Sequence, residues 1–202
     1  IRDYGPQSSA TTKVVRERLY SGDDSKGPET LVKEISASPA RILVGHFPLE
    51  RYAKFFEPER VITFVREPLV RTCSEYLHRT NNRTFEGSLT DFLHRPGYQN
   101  LQTRFLKGVS KQSFIGLAEK YDDSLKLINA ATGWKISASN KNIGQQGGGR
   151  RLAESLSTGE MDLFYKTNQK DLELYEAMKQ RFETFKIPDS PSKGIMSFFK
   201  HN

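Results

Sequence analysis

Apolar positions along the chain follow two patterns. In residues 41–47 (RILVGHF), 60–65 (RVITFV) and 113–118 (SFIGLA) they are contiguous and rich in branched side chains. Runs of this kind, without alternation, predict strands covered on both faces, as in a parallel sheet. Elsewhere the apolar residues recur every three or four positions. Val14, Val15 and Leu19 do so in 11–20, and Leu31, Val32 and Ile35 in 29–36. Leu125, Leu127 and Ile128 do so in 121–133, and Leu172, Tyr175, Met178, Phe182 and Phe185 in 167–185. These segments predict helices with one buried face, Gly133 ending the third of them. The stretch 49–56 (LERYAKFF) reads as a helix between the first two strands, within a connection of about the minimum length for a parallel crossover. Residues 1–10, the turn-rich SGDDSKGP (21–28) and the tail KIPDSPSKG (186–194) predict irregular chain. The fold class expected is α/β, a parallel sheet with helices on both faces, as one domain over residues 1–202.

Composition narrows the partners. Hydrophobic residues make up 36% of the 202 and aromatics 11%, enough apolar surface for a folded core. The net charge of +7 favours an anionic partner: nucleic acid, a nucleotide, an acidic glycan or an acidic membrane. Cys73 is the single cysteine, which excludes an intramolecular disulfide and a cysteine-rich zinc site and leans localisation towards the cytoplasm. No apolar run reaches the roughly 18 residues of a membrane helix, and no signal-peptide pattern opens the chain. The chain begins at Ile1, so an upstream segment is expected to have been removed or left out. The sequence does not specify an oligomeric state.

The candidate chemistry lies in FVREPLVRTCSEYLHR (64–79), where an apolar run stops at Arg66, turns through Pro68 and continues as an amphipathic helix. Ligands of open α/β sheets bind beyond the carboxyl ends of the strands. Arg66 and His46 each end a strand and are expected to line one crevice. Pro68 suits the first turn of a helix, whose free N–H groups and dipole would favour an anion. Arg71 and Ser74 follow on that helix. Read singly, an arginine like Arg66 is more often a solvated or ion-paired surface residue, a histidine like His46 more often a hydrogen-bonded structural one, and Ser74 is simply a helical serine.

The segment ITFVREPLVRTCSEYLHR resembles the 3′-phosphate-binding segment of the sulfotransferases that use 3′-phosphoadenosine-5′-phosphosulfate (PAPS). LVGHFPLERY (43–52) is similar to the glycine-histidine strand end that supplies the catalytic base in carbohydrate O-sulfotransferases, and NLQTRFLKG (100–108) resembles a segment of bacterial members. FIGLAEKYDDSLKLIN and TNQKDLELYEAMKQRF resemble the C-terminal half, so the likeness covers about residues 40–186. It implies a P-loop-like sulfotransferase fold, transfer of a sulfuryl group from PAPS to a carbohydrate or other hydroxyl, His46 as general base, and Arg66 and Ser74 on the 3′-phosphate. No metal is implied.

The family's opening strand, its loop like Pro-Lys-Thr-Gly-Gly-Thr-Ser and its helix have no counterpart in residues 1–40, so an upstream strand-loop-helix is expected to be missing. GQQGGGRR (144–151) does not replace that loop, because no strand precedes it and no Lys-Ser or Lys-Thr follows. It reads as a mobile loop near the nucleotide, with Arg150 and Arg151 reaching a phosphate. Arg41, Arg51, Lys54, Arg79, Arg83, Arg104 and Lys107 supply cationic surface for an acidic glycan acceptor, with Arg104 as the foremost acceptor-binding candidate. His78 and His94 read as surface residues, and NRT (82–84) is a glycosylation sequon that matters only in a secretory pathway, such as the Golgi lumen of a eukaryotic source. Three other readings stand beside the enzyme. A non-catalytic acidic-glycan-binding protein fits the same scaffold and a P-loop kinase the same fold class, while nucleic-acid binding lacks any reader motif.

Overall fold

The computed structural model describes residues 13–16, 27–37, 40–45, 47–110, 113–132, 134–137 and 147–184. Strand β1 (Lys13–Arg16) runs parallel to β2 (Ala40–Val44), and helix α1 (Pro28–Ser36) lies between them in sequence, so the first described elements form a strand-helix-strand unit. A second parallel pair joins β3 (Ile62–Val65) to β4 (Phe114–Leu117). Three helices lie between β3 and β4: α2 (Pro68–Asn81), α3 (Leu89–His94) and α4 (Leu101–Phe105). Helix α5 (Tyr121–Thr132) follows β4, and α6 (Gly148–Glu154), α7 (Thr158–Thr167) and α8 (Gln169–Thr184) complete the described chain.

The class is therefore α/β, mostly helical, and three expectations change. Residues 13–16 form a strand where the spacing predicts a helix. Val14 and Val15 are β-branched, and pairing with Ile42 and Leu43 satisfies their backbone in a way that a short isolated helix would not. The stretch 49–56 is two short 3₁₀ turns, Leu49–Arg51 and Ala53–Phe55. They are separated at Tyr52, which leaves the regular helix at φ −119° to bury its ring, with Phe47 edge-on at 4.7 Å. Third, the strands make two pairs, and among the described residues β2 and β3 are not hydrogen-bonded neighbours. Among the described residues 47–61, the link holds three short turns, the last at Pro58–Arg60, and no longer helix.

Two apolar clusters hold α2, α3 and α6–α8 and the β3–β4 pair. Val65, Ile115 and Leu117 from the β3–β4 pair pack against Leu174, Tyr175, Met178 and Phe182 of α8. This is the face of α8 that the spacing predicts, except that Leu172 turns to the second cluster and Phe185 lies outside the described residues. That second cluster is Leu89 and Leu93 of α3 with Phe164 of α7, flanked by Leu69, Tyr76, Leu152 and Leu172. Leu125, Leu127 and Ile128 are buried, as the pattern of α5 requires, while Gly133 and the tail beyond residue 184 lie outside the described residues. Gly116 allows β3 and β4 to pair closely, because a Cβ there would sit 2.6 Å from the Phe64 ring.

Candidate functional site

The strand end at Arg66 is held by its backbone. The Arg66 N–H donates to Gln102 Oε1 at 2.8 Å, and Gln102 Nε2 donates to the Arg66 carbonyl at 2.8 Å. A side-chain amide satisfying both groups of one residue acts as one more rung of the ladder, fixing where the chain leaves the sheet. Gln102, 6% exposed, is itself fixed. Its N–H donates to Asp171 Oδ2 at 3.0 Å, while Thr103 donates its N–H and its hydroxyl to Oδ1, each at 2.7 Å. Asp171, 3% exposed in the first turn of α8, thus caps the N-terminus of α4 from a different helix. Asn100 completes the cluster. It takes the left-handed conformation, φ 49°, that asparagine tolerates, its N–H donates to Asn168 Oδ1 at 2.9 Å, and its Nδ2 donates to the Thr167 carbonyl at 2.9 Å.

The first turn of α2 does not offer the free donors that its sequence suggests. Glu67 is its N-cap, and its carboxylate accepts from the N–H groups of Leu69 (3.1 Å) and Val70 (2.7 Å). The Glu67 N–H in turn donates to Glu119 Oε1 at 2.9 Å, and Glu119 Oε2 accepts from the Tyr175 hydroxyl at 3.2 Å. Burial, with the Glu119 carboxylate beside it, pushes the Tyr175 phenol up to about 12. The dipole of α2 remains, but its amides are already bonded.

Side chains, rather than those amides, carry the cationic character. Arg66 and Arg71 are both half-buried, and neither guanidinium makes a hydrogen bond or ion pair among the described residues. Burial holds the Arg71 guanidinium below the ordinary arginine value. Glu75 and Asp171 oppose that shift, and the nearby charge of Arg66 adds to it. Ser74 lies one turn further along α2, half-buried, and α6 packs directly over it. A Cβ on Gly149 would collide with Ser74 Oγ and lie 2.9 Å from the Val70 carbonyl.

The other site candidates are distributed unevenly. His46 lies outside the described residues, and β2, which leads to it, pairs with β1 instead of β3. Gly147 and the helix α6 occupy the C-terminal part of GQQGGGRR, so Arg150 and Arg151 stand on a helix, both exposed, and not on a loop; residues 144–146 lie outside the described residues. Arg104 is exposed, and its Nη1 donates to the carbonyls of Gly97 at 2.9 Å and Pro96 at 3.5 Å, which ties α4 to the 96–98 turn. Three of the expected glycan-facing cations have acidic partners: Lys54 with Glu29, Arg79 with Glu75 and Lys107 with Glu50, each at 2.8 Å. His78 and His94 are exposed. No group of three metal-ligating side chains occurs among the described residues, and no described helix is long and apolar enough to cross a membrane.

The holding residues Gln102, Asp171 and Glu119 escape a reading of the sequence, because each acts on a partner far away in the chain, while the local cap made by Glu67 looks in sequence like any acid before a proline. The available signals were the asparagine at 100 and the acid directly before Pro68. No family model matches the chain, and no curated protein and no solved structure matches it either.

Proposed function

We propose that the protein is a PAPS-dependent O-sulfotransferase of P-loop-like fold, acting on a hydroxyl of a carbohydrate or other small acceptor. The observation that carries this reading is the strand end after β3, where Arg66 is held by its backbone, Arg71 and Ser74 follow on α2, and no carboxylate pairs with either guanidinium among the described residues. These residues fit the 3′-phosphate end of the donor: an arginine fork suits a phosphate, and the Ser74 hydroxyl makes no hydrogen bond among the described residues. For the 5′-phosphosulfate end, the described residues hold no glycine-lysine loop.

When bound, PAPS supplies the sulfuryl group whose bond to the 5′-phosphate breaks in the transfer. The chain's own work is positioning and charge placement, as in phosphoryl transfer. Arg66 and Ser74 hold the 3′-phosphate. His46 accepts the acceptor hydroxyl's proton on a ring nitrogen as that oxygen attacks sulfur. Arg104, Arg150 and Arg151 are exposed cations at hand for an acidic acceptor or the donor, Arg104 already spending part of its fork on Gly97.

Calorimetric titration of 3′-phosphoadenosine 5′-phosphate tests the assignment, with adenosine 5′-phosphate as control. The first ligand is expected to bind more tightly than the second, and Arg66→Ala to abolish most of that difference, roughly 10–100-fold for one charge-assisted contact. Equal binding of the bisphosphate by Arg66→Ala and the unaltered chain would show that Arg66 is not a phosphate ligand.

A further inference from the structure

We propose that Arg71 is a second arginine of the anion site, gripping the same phosphate as Arg66. This rests on the reading of Arg66 as a phosphate ligand and adds a residue to it. The carboxylates of Glu67, Glu119, Glu75 and Asp171 are each committed elsewhere. Glu67 accepts from two N–H groups of its own helix. Glu119 accepts from the Glu67 N–H and the Tyr175 hydroxyl. Glu75 takes the Arg79 Nε at 2.8 Å, one turn along α2. Asp171 receives three donors from Gln102 and Thr103.

Arg71 therefore sits half-buried without an ion pair among the described residues, beside a second arginine in the same condition. A guanidinium drawn out of water is unfavourable unless something compensates it, and two such groups side by side repel. A phosphate dianion removes both penalties at once, because each fork can donate to a different pair of oxygens. A purely structural Arg71 would be expected to take Asp171 or Glu75 as its partner. Glu75 instead bonds the next arginine on the helix, and Asp171 is filled by backbone and hydroxyl donors. Arg71 and Ser74 are three residues apart on α2, so their side chains share a face.

The test compares the unaltered chain with Arg66→Ala, Arg71→Met and Arg71→Gln. Each is titrated with 3′-phosphoadenosine 5′-phosphate and adenosine 5′-phosphate, and each is melted without ligand. Arg71→Met keeps the bulk and removes the charge. It is expected to weaken the bisphosphate roughly 10–100-fold, to leave the monophosphate control unchanged, and to melt no lower than the unaltered chain. Arg71→Gln keeps a polar end and gives the same affinity reading should Arg71→Met fail to fold. Loss of bisphosphate affinity in Arg66→Ala but not in either Arg71 variant, with a lowered melting temperature, would make Arg71 a structural cation serving Asp171 and overturn the inference alone. Unchanged affinity in all three variants would overturn the reading of Arg66 as well.

Discussion

Gly149 shows how one residue can decide the shape of a site from outside it. Its missing side chain lets α6 rest on α2 over Ser74, where a methyl group would meet both the serine hydroxyl and the Val70 carbonyl. Gly149→Ala is expected to destabilise the fold by about 1–3 kcal/mol, the usual range for overpacking, and this can be read from the denaturant midpoint at an unchanged slope. An unchanged midpoint would mean that α6 yields at no cost. The glycine run of 144–151 was visible in the sequence, but its purpose was not. Glycine looks the same in a flexible loop and at a close helix contact, and only the partner surface separates the two. Arg66 was legible because an apolar run that stops on a charge is a local event. The commitment of Glu67 was less so, because an acid before a proline serves equally as a cap, an ion-pair partner or a solvated group.

Helix α4 would not stand on its own merits as an element. Five residues are too few to nucleate in isolation, and its stability comes from Asp171 of α8, which lies 69 residues from Gln102 in sequence. In exchange α4 offers the Gln102 amide to Arg66, so two helices and a strand end form one hydrogen-bonded unit. Gln102→Leu conserves much of the volume but leaves a backbone N–H and a carbonyl without partners. A loss of about 1–3 kcal/mol in urea unfolding is expected, together with weaker 3′-phosphoadenosine 5′-phosphate binding, since Arg66 is no longer fixed. Full affinity in a destabilised Gln102→Leu would show that the strand end holds its place without the amide. The existence of β2, β3, β4, α1, α5 and α8 could be read from periodicity because burial imprints itself locally. Strand β1 and the 3₁₀ turns could not, because pairing with a distant strand and burial of Tyr52 overrode local spacing.

At the scale of the molecule, an excess of seven positive charges creates a field that any polyanion feels. Lys54, Arg79 and Lys107 are drawn into ion pairs, which offsets their share of that field locally. For an acidic-glycan acceptor, retention on heparin is expected to outlast retention on double-stranded DNA at matched salt, both falling as salt rises. Equal or longer retention on DNA would count against the glycan reading. The same column behaviour without any turnover of PAPS would favour a glycan-binding protein on this scaffold. The α/β class was legible from the apolar runs, whereas the pairing of β1 with β2 and of β3 with β4 joins residues far apart in sequence, which no local pattern encodes. The bond from Asp171 to Gln102 also sets a schedule for synthesis. At roughly 5–20 residues per second, several seconds separate the emergence of α4 from that of the carboxylate that caps it. Until α8 leaves the ribosome, α4 lacks that cap, so the hydrogen-bonded unit that holds the Arg66 backbone is complete only after nearly all of the described chain has been made.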